Sequence, residues 1–299
     1  MKVTLGEGNT PLVKSKEEQL HYKNEALNPT GSFKDRGTAL KVSEAKDKGF
    51  EKLHICSSGN AALSLAVYCQ KAELECVCHI PDSTSDGKKQ LMESFGASLK
   101  QYNATYEEIF HHLQEKQLEG WNVTPGASNI SMKAYQEISE EIIEAGKEPD
   151  QVVVPCGNGT NLAGIWKGFK LLGVEPKMIG VQIEGAAPIK QAINQQKEHG
   201  IVDNPGESIA EGIIASESFN CEEAVKAIQE SNGSLQVVKE EEIQEGMKKL
   251  VKDGIICEPT SAVAKPVADK LEGKTVAIIT GSGLKSYEKI KKIVKQNKN

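Results

Sequence analysis

Short apolar runs and longer stretches with a single apolar face alternate along nearly the whole chain. The runs fall at 53–56, 75–80, 98–102, 152–155, 178–183, 235–238 and 275–280, and their length predicts strands. Between them, apolar residues recur at helical spacing over 61–70, 88–95, 106–117, 132–145, 162–172, 221–229, 241–252 and 262–271. A further helix-like stretch opens at Lys34. Strands that alternate with helices in this way build parallel sheets covered by helices on both faces, an α/β fold. No internal repeat or Pro-rich linker interrupts the pattern. The segment NVTPGASN at 122–129 is the best hinge candidate, because Pro125 and Gly126 punctuate two periodic regions. The irregular stretch 199–217 is long enough to be a functional loop.

Composition narrows the class. With 299 residues, 38% hydrophobic and 26% charged, the chain reads as globular, with room for two ordinary α/β domains. A net charge of −6 without a basic stripe argues against nucleic acid as a partner. The start lacks a signal-peptide pattern, and no apolar run approaches the roughly 20 residues of a membrane span, so no membrane partner is expected. Seven cysteines, odd in number and without CxxC spacing, read as small buried hydrophobes rather than zinc ligands or disulfides. No metal is expected, and the expected compartment is the cytoplasm.

Four polar or glycine-rich junctions carry candidate chemistry. In the run NPTGSFKDRG at 28–37, Lys34 follows turn residues and opens a helix. The positive end of a helix dipole, with partial burial, depresses an amine pKa and favours a nucleophilic free amine; an ordinary surface lysine is the alternative. Ser57, Ser58, Gly59 and Asn60 lie between a strand and a helix, where hydroxyls, an amide and backbone N–H groups suit a carboxylate or form a routine N-cap. Gly157, Asn158, Gly159, Thr160 and Asn161 join another strand to another helix, where glycines admit a phosphate to the orphan N–H groups of the helix start. This junction also imitates a nicotinamide-dinucleotide site, although the third glycine of G-x-G-x-x-G would fall at 162, which is Leu. Thr280, ahead of Gly281-Ser282-Gly283, puts a hydroxyl at a strand's carboxyl end, where α/β sheets bind ligands, or simply ends the strand in a turn.

Taken together and in this order, the junctions resemble the β-family (fold type II) of pyridoxal 5′-phosphate (PLP) enzymes, and most closely the threonine synthases. The resemblance runs through GEGNTPL at 6–12, NPTGSFKDRG at 28–37, SSGN at 57–60, Gly87-Lys88, GNGTN at 157–161, EGAAP at 184–188, EPTSA at 258–262 and TGSGLK at 280–285. It implies two three-layer αβα domains with twisted, mostly parallel sheets and the cofactor in the cleft between them. A smaller mobile domain, 41–127, would close on a larger one formed by 1–40 and 128–299, and a homodimer is the expected assembly. Lys34 would hold PLP as a Schiff base and move protons, and Asn60 would bond the cofactor's phenolic oxygen. Residues Gly157 to Asn161 would hold the phosphate, and Thr280 would face the pyridine nitrogen, a neutral partner that suits elimination and replacement. Ser57 and Ser58 would meet the carboxylate of a small amino-acid substrate, with Lys88 as a further substrate contact.

The reaction implied is that of a carbon–oxygen lyase in amino-acid biosynthesis: O-phosphohomoserine and water give threonine and phosphate by γ-elimination and β-hydration. The positions that would meet the substrate phosphate depart from the family, since Ala61, Val123 and Ser128 stand where Thr, Ser and Arg are expected. A serine/threonine dehydratase or a β-replacing enzyme is therefore the alternative, and a nicotinamide-binding oxidoreductase is the alternative of a different class.

Overall fold

The structure, a computed structural model, describes residues 2–287, 290, 291 and 293. Its strands are β1 (Leu12–Lys14), β2 (Leu20–Asn24), β3 (Lys52–Cys56), β4 (Glu75–Pro81), β5 (Ser98–Tyr102), β6 (Trp121–Asn122), β7 (Gln151–Pro155), β8 (Lys177–Ile183), β9 (Ser234–Val238) and β10 (Thr275–Ile279). The early helices are α1 (Lys34–Asp47), α2 (Asn60–Ala72), α3 (Asp86–Ser94), α4 (Tyr106–Glu115), α5 (Ile130–Ala134) and α6 (Glu137–Glu144). Then come α7 (Thr160–Leu171), α8 (Pro188–Gln195), α9 (Cys221–Glu230), α10 (Glu240–Lys252), α11 (Pro259–Ala262) and α12 (Ala264–Ala268).

The chain folds as two compact units, one of residues 2–7, 28–30 and 34–134, the other of 8–27, 31–33 and the described residues from 135 onward. Each unit has its own sheet. In the first unit the strand order is β5-β4-β3-β6, all parallel. In the second it is β1-β2-β10-β7-β8-β9, parallel except for the hairpin β1–β2 at one edge. This is the mixed α/β architecture with mostly parallel sheets that the strand–helix alternation predicts.

Burial on both faces explains the continuous apolar runs. Along β7, Val152 and Val154 enter one core while Val153 enters the other. Along β10, Val276 and Ile278 go with the first pair, and Ala277 and Ile279 go with Val153. Period-two alternation across a doubly covered sheet leaves no polar face to interrupt the run. In the first unit α2 packs on one side of the sheet, against Leu53, Ile55, Cys76, Cys78 and Ile80.

The structure departs from the predicted elements in a few places. Strands β1, β2 and β6 and helix α8 were not marked by the apolar pattern. The helix expected over 132–145 is two helices, α5 and α6, broken at Tyr135 and Gln136. At this break α7 approaches so closely that a Cβ on Gly168 would lie 2.5 Å from the Gln136 carbonyl oxygen. The helix expected over 262–271 is only the short α12, with α11 ending at Ala262 ahead of it, because Pro266 has no N–H to return to the Ala262 carbonyl. All seven cysteines are buried free thiols. No helix among the described residues is long and apolar enough to cross a membrane.

Candidate functional site

Lys34 is the first residue of α1 and is half-buried. The residue beside it anchors the helix start. Asp35 is fully buried, and its carboxylate accepts from the Thr30 N–H (2.6 Å), the Thr30 hydroxyl (2.5 Å) and the Ser64 hydroxyl of α2 (2.6 Å). A carboxylate in a first helical turn also complements the dipole. Just upstream, Phe33 donates its N–H to the Thr280 carbonyl (3.1 Å), and Ser282 donates to the Gly31 carbonyl (2.8 Å). The backbone turns there through Gly31 at φ +79°, where a Cβ would crowd Ser282 at 3.1 Å. Residues 31–33 are thus tied by their own backbone to the end of β10, within the second unit.

The serine junction follows β3. Ser57, Ser58 and Asn60 are half-buried, and Asn60 is the first residue of α2. Gly59 stands at the N-cap, so neither a serine nor an asparagine caps this helix from that position. The Ser57 hydroxyl accepts from the Gly59 N–H at 3.3 Å. Thr124, fully buried after β6, accepts from the Cys56 N–H (2.8 Å) and fixes the strand end from which this junction springs.

The glycine junction follows β7. Gly159 is the N-cap of α7 at φ +82°, again with no side-chain cap. Its bare Cα is required: a Cβ would lie 2.7 Å from both Ala224 Cβ and the Asn220 carbonyl oxygen. A Cβ on Gly157 would meet the Ile213 backbone at 3.3 Å, so part of the 199–217 stretch packs onto this loop. Asn220 holds the loop from the other side, donating its N–H to the Asn158 carbonyl (3.1 Å) and accepting from the Thr160 hydroxyl (2.6 Å). Asn161 is buried, and among the described residues neither Nδ2 nor Oδ1 of its amide has a hydrogen-bond partner. Buried amides are rarely left so. An uncapped helix start with an unpaired donor amide beside it fits the phosphate of PLP. Cys156, just before the loop, has its thiol pushed up to about 12 by burial, which keeps it inert.

Thr280 is buried at the end of β10. Its hydroxyl pairs with Ser261 Oγ (2.9 Å) and lies 3.3 Å from a Glu258 carboxylate oxygen. Ser261 also accepts from the Gly281 N–H (3.0 Å), so the short helix α11 braces this turn. Lys88, in the first turn of α3, is exposed. The side chains of Ala61 and Val123 lie in the apolar core of the first unit. Ser128 Oγ is buried without a hydrogen-bond partner among the described residues.

Some of these residues were legible only in retrospect. Asp35 and Glu258 stand inside motifs that the sequence presents, and an acidic residue in the first turn of α1 was a usable signal. Asn220 has no local signature, since it reaches the glycine junction across about sixty residues of chain.

Comparison with known proteins gives one consistent result. The profile of the family described as pyridoxal-phosphate dependent enzymes matches residues 3–281. The threonine synthase of Methanocaldococcus jannaschii is 34% identical over 95% of this chain and 76% of its own length. That of Halalkalibacterium halodurans is 33% identical over 95% of this chain and 84% of its own. Among solved structures, the processed form of threonine deaminase isoform 2 from Solanum lycopersicum superposes with a TM-score of 0.84 at 22% identity, covering 97% of this chain and 88% of that one. Maize serine racemase superposes with a TM-score of 0.80 at 20% identity, covering 97% and 94%. The chain belongs to the pyridoxal-phosphate dependent enzymes of fold type II, with PLP as its cofactor and lyase-type chemistry as its activity.

Proposed function

We propose that this enzyme is a threonine synthase, converting O-phosphohomoserine and water into threonine and phosphate. The observation that carries the reading is the near full-length likeness to curated relatives of that name, joined to a helix start and an unpaired Asn161 amide that suit the cofactor phosphate. When bound, PLP supplies the electron sink for carbanion chemistry. Everything else falls to the chain's own side chains.

Lys34 would attach to the cofactor aldehyde through its amine, and would then serve as the base that removes the α-proton and a β-proton of the substrate. The Asp35–Thr30–Ser64 network keeps the start of α1 rigid, which holds the Lys34 backbone in place for both tasks. Gly157, Asn158, Gly159, Thr160 and Asn161 would bind the cofactor phosphate through N–H groups and the Asn161 amide. Asn60 would orient the phenolic oxygen. Thr280, its hydroxyl shared with Ser261, would offer the ring nitrogen a neutral partner. Ser57, Ser58 and the uncapped start of α2 would receive the substrate carboxylate, with Lys88 as a further contact. A second copy of the chain is the proposed partner, and the cytoplasm the proposed compartment.

One observation favours a second reading, a serine/threonine dehydratase. Ala61 and Val123 point into an apolar core, so two of the three positions expected to meet a substrate phosphate present no side-chain donor. A site that strands few polar groups discriminates weakly against uncharged analogues. The two readings separate on product analysis. The holoenzyme incubated with O-phosphohomoserine releases phosphate and threonine in equal amounts under the first reading. Rapid formation of 2-oxo acid from threonine or serine, without phosphate release from O-phosphohomoserine, overturns it in favour of the second.

A further inference from the structure

Helix α1 carries a second amine that the reaction above does not use. Lys41 stands seven residues after Lys34, two helical turns on and therefore on the same face. Two helical turns rise about 10.5 Å, close enough for two charges to act on one another where water is excluded. Lys41 is only 4% exposed, and its Nζ donates to the Val123 carbonyl at 2.7 Å. Among the described residues it has no carboxylate partner. A buried ammonium without a counter-charge is strongly disfavoured. Burial first, and the positive charge of Lys34 second, bring the Lys41 amine from its ordinary 10.5 down to about 7.

Of the charges on α1, Arg36 is buried, half-buried Glu44 pairs with Lys48, and Lys34 is the one that acts on the Lys41 amine. Helices α2 and α5 pack on α1, but their lysines, Lys71 and Lys133, are exposed. Asp35 is turned into Thr30 and Ser64 on another face of α1. We propose that Lys41 is a positioning residue for Lys34, the two amines of this helix face forming one coupled acid–base pair. The proposal rests on the reading of Lys34 as the residue that attaches to the cofactor.

Coupling of this kind is reciprocal, so charge on either amine disfavours charge on the other. Attachment to the cofactor would need the Lys34 amine without its ammonium proton, and a charged Lys41 makes that proton easier to lose. During turnover the same repulsion makes a protonated Lys34 a stronger acid, readier to return its proton to substrate.

The test follows the Lys41 amine by NMR in the apo protein carrying lysine labelled at the ε-carbon, its signal assigned by absence in Lys41→Arg. The expected midpoint is near neutral pH in the wild type and higher by about one pH unit in Lys34→Ala. A wild-type midpoint at the ordinary lysine value, or one unmoved by loss of Lys34, overturns the proposal; neither depends on a Lys41 variant that must fold without its amine. The pH profile for PLP attachment, followed by growth of the visible absorbance band, should have a near-neutral inflection in the wild type that Lys41→Met displaces and Lys41→Arg does not restore. Identical profiles in all three overturn the proposal. Borohydride reduction and peptide mapping separate this result from failure of the underlying reading: label on another lysine overturns both, whereas label on Lys34 with uncoupled titrations overturns the proposal alone.

Discussion

At the glycine junction the buried amide of Asn161 has no hydrogen-bond partner among the described residues. An unsatisfied buried polar group costs about 1–3 kcal/mol, and a hydrogen bond to a charged group returns about 1.5–3 kcal/mol. On the proposed reading Asn161 weakens the apo protein and strengthens its grip on the cofactor phosphate. Asn161→Ala should leave the apo protein as stable as the wild type or more so, while PLP affinity falls about tenfold to a hundredfold. Thermal melts of the apo protein and a PLP titration measure the two effects separately. A parallel loss of both stability and affinity would assign Asn161 a packing role instead. Gly159 is a poorer probe, because any Cβ there meets Ala224 and Asn220 whether or not a phosphate is bound. The lysine, serine and glycine junctions were legible in the sequence because each packs its chemistry into a few consecutive residues. Asn220 and Ser64 were not, since each acts on its junction from a distant stretch of chain.

At the scale of elements, the first unit holds a polar seam across its sheet. His54 Nδ1 and His79 Nε2 lie 3.0 Å apart on neighbouring strands β3 and β4, and His79 Nδ1 pairs with the Tyr102 hydroxyl of β5 at 2.7 Å. Burial, reinforced by the field of His54, brings His79 down to about 4 from its ordinary 6.5, and burial lowers His54 as well. The unfolded chain therefore binds more protons than the folded one between those values. Stability conferred by the neutral pair is present above about pH 6.5, declines as the pH falls, and levels off once His79 itself is protonated near pH 4. The melting temperature should fall across that window, and His79→Asn should flatten the decline. An equally steep decline in the variant would trace acid sensitivity to other groups.

The same scale shows why the apolar pattern found some strands and passed over others. β7 and β10 read plainly because both of their faces are buried in apolar cores. β2 does not, for it buries Lys23 and Asn24. Lys23 is tolerated there because it pairs with Glu141 and donates to the Thr10 carbonyl. Such tertiary partners overrule local hydrophobicity, and no window of neighbouring residues contains them.

For the whole molecule, cofactor binding is part of folding stability. A ligand at a hundredfold excess over its dissociation constant stabilises the native state by about 2.7 kcal/mol. Removing PLP should lower the melting temperature by several degrees, and adding it back should restore the loss. Lys34→Ala should keep a smaller, concentration-dependent response, because the proposed phosphate contacts would remain when the covalent attachment is gone. A PLP-independent melt would contradict the assignment of the glycine junction.

The central claim, that Lys34 carries the cofactor, is tested most directly by reducing the holoenzyme with borohydride, digesting it and locating the pyridoxyl group by mass spectrometry. The account predicts the label on Lys34 in the NPTGSFKDRG segment, and no stable label in Lys34→Ala. A pyridoxyl group on Lys41, Lys88 or any other lysine of the wild type would contradict it.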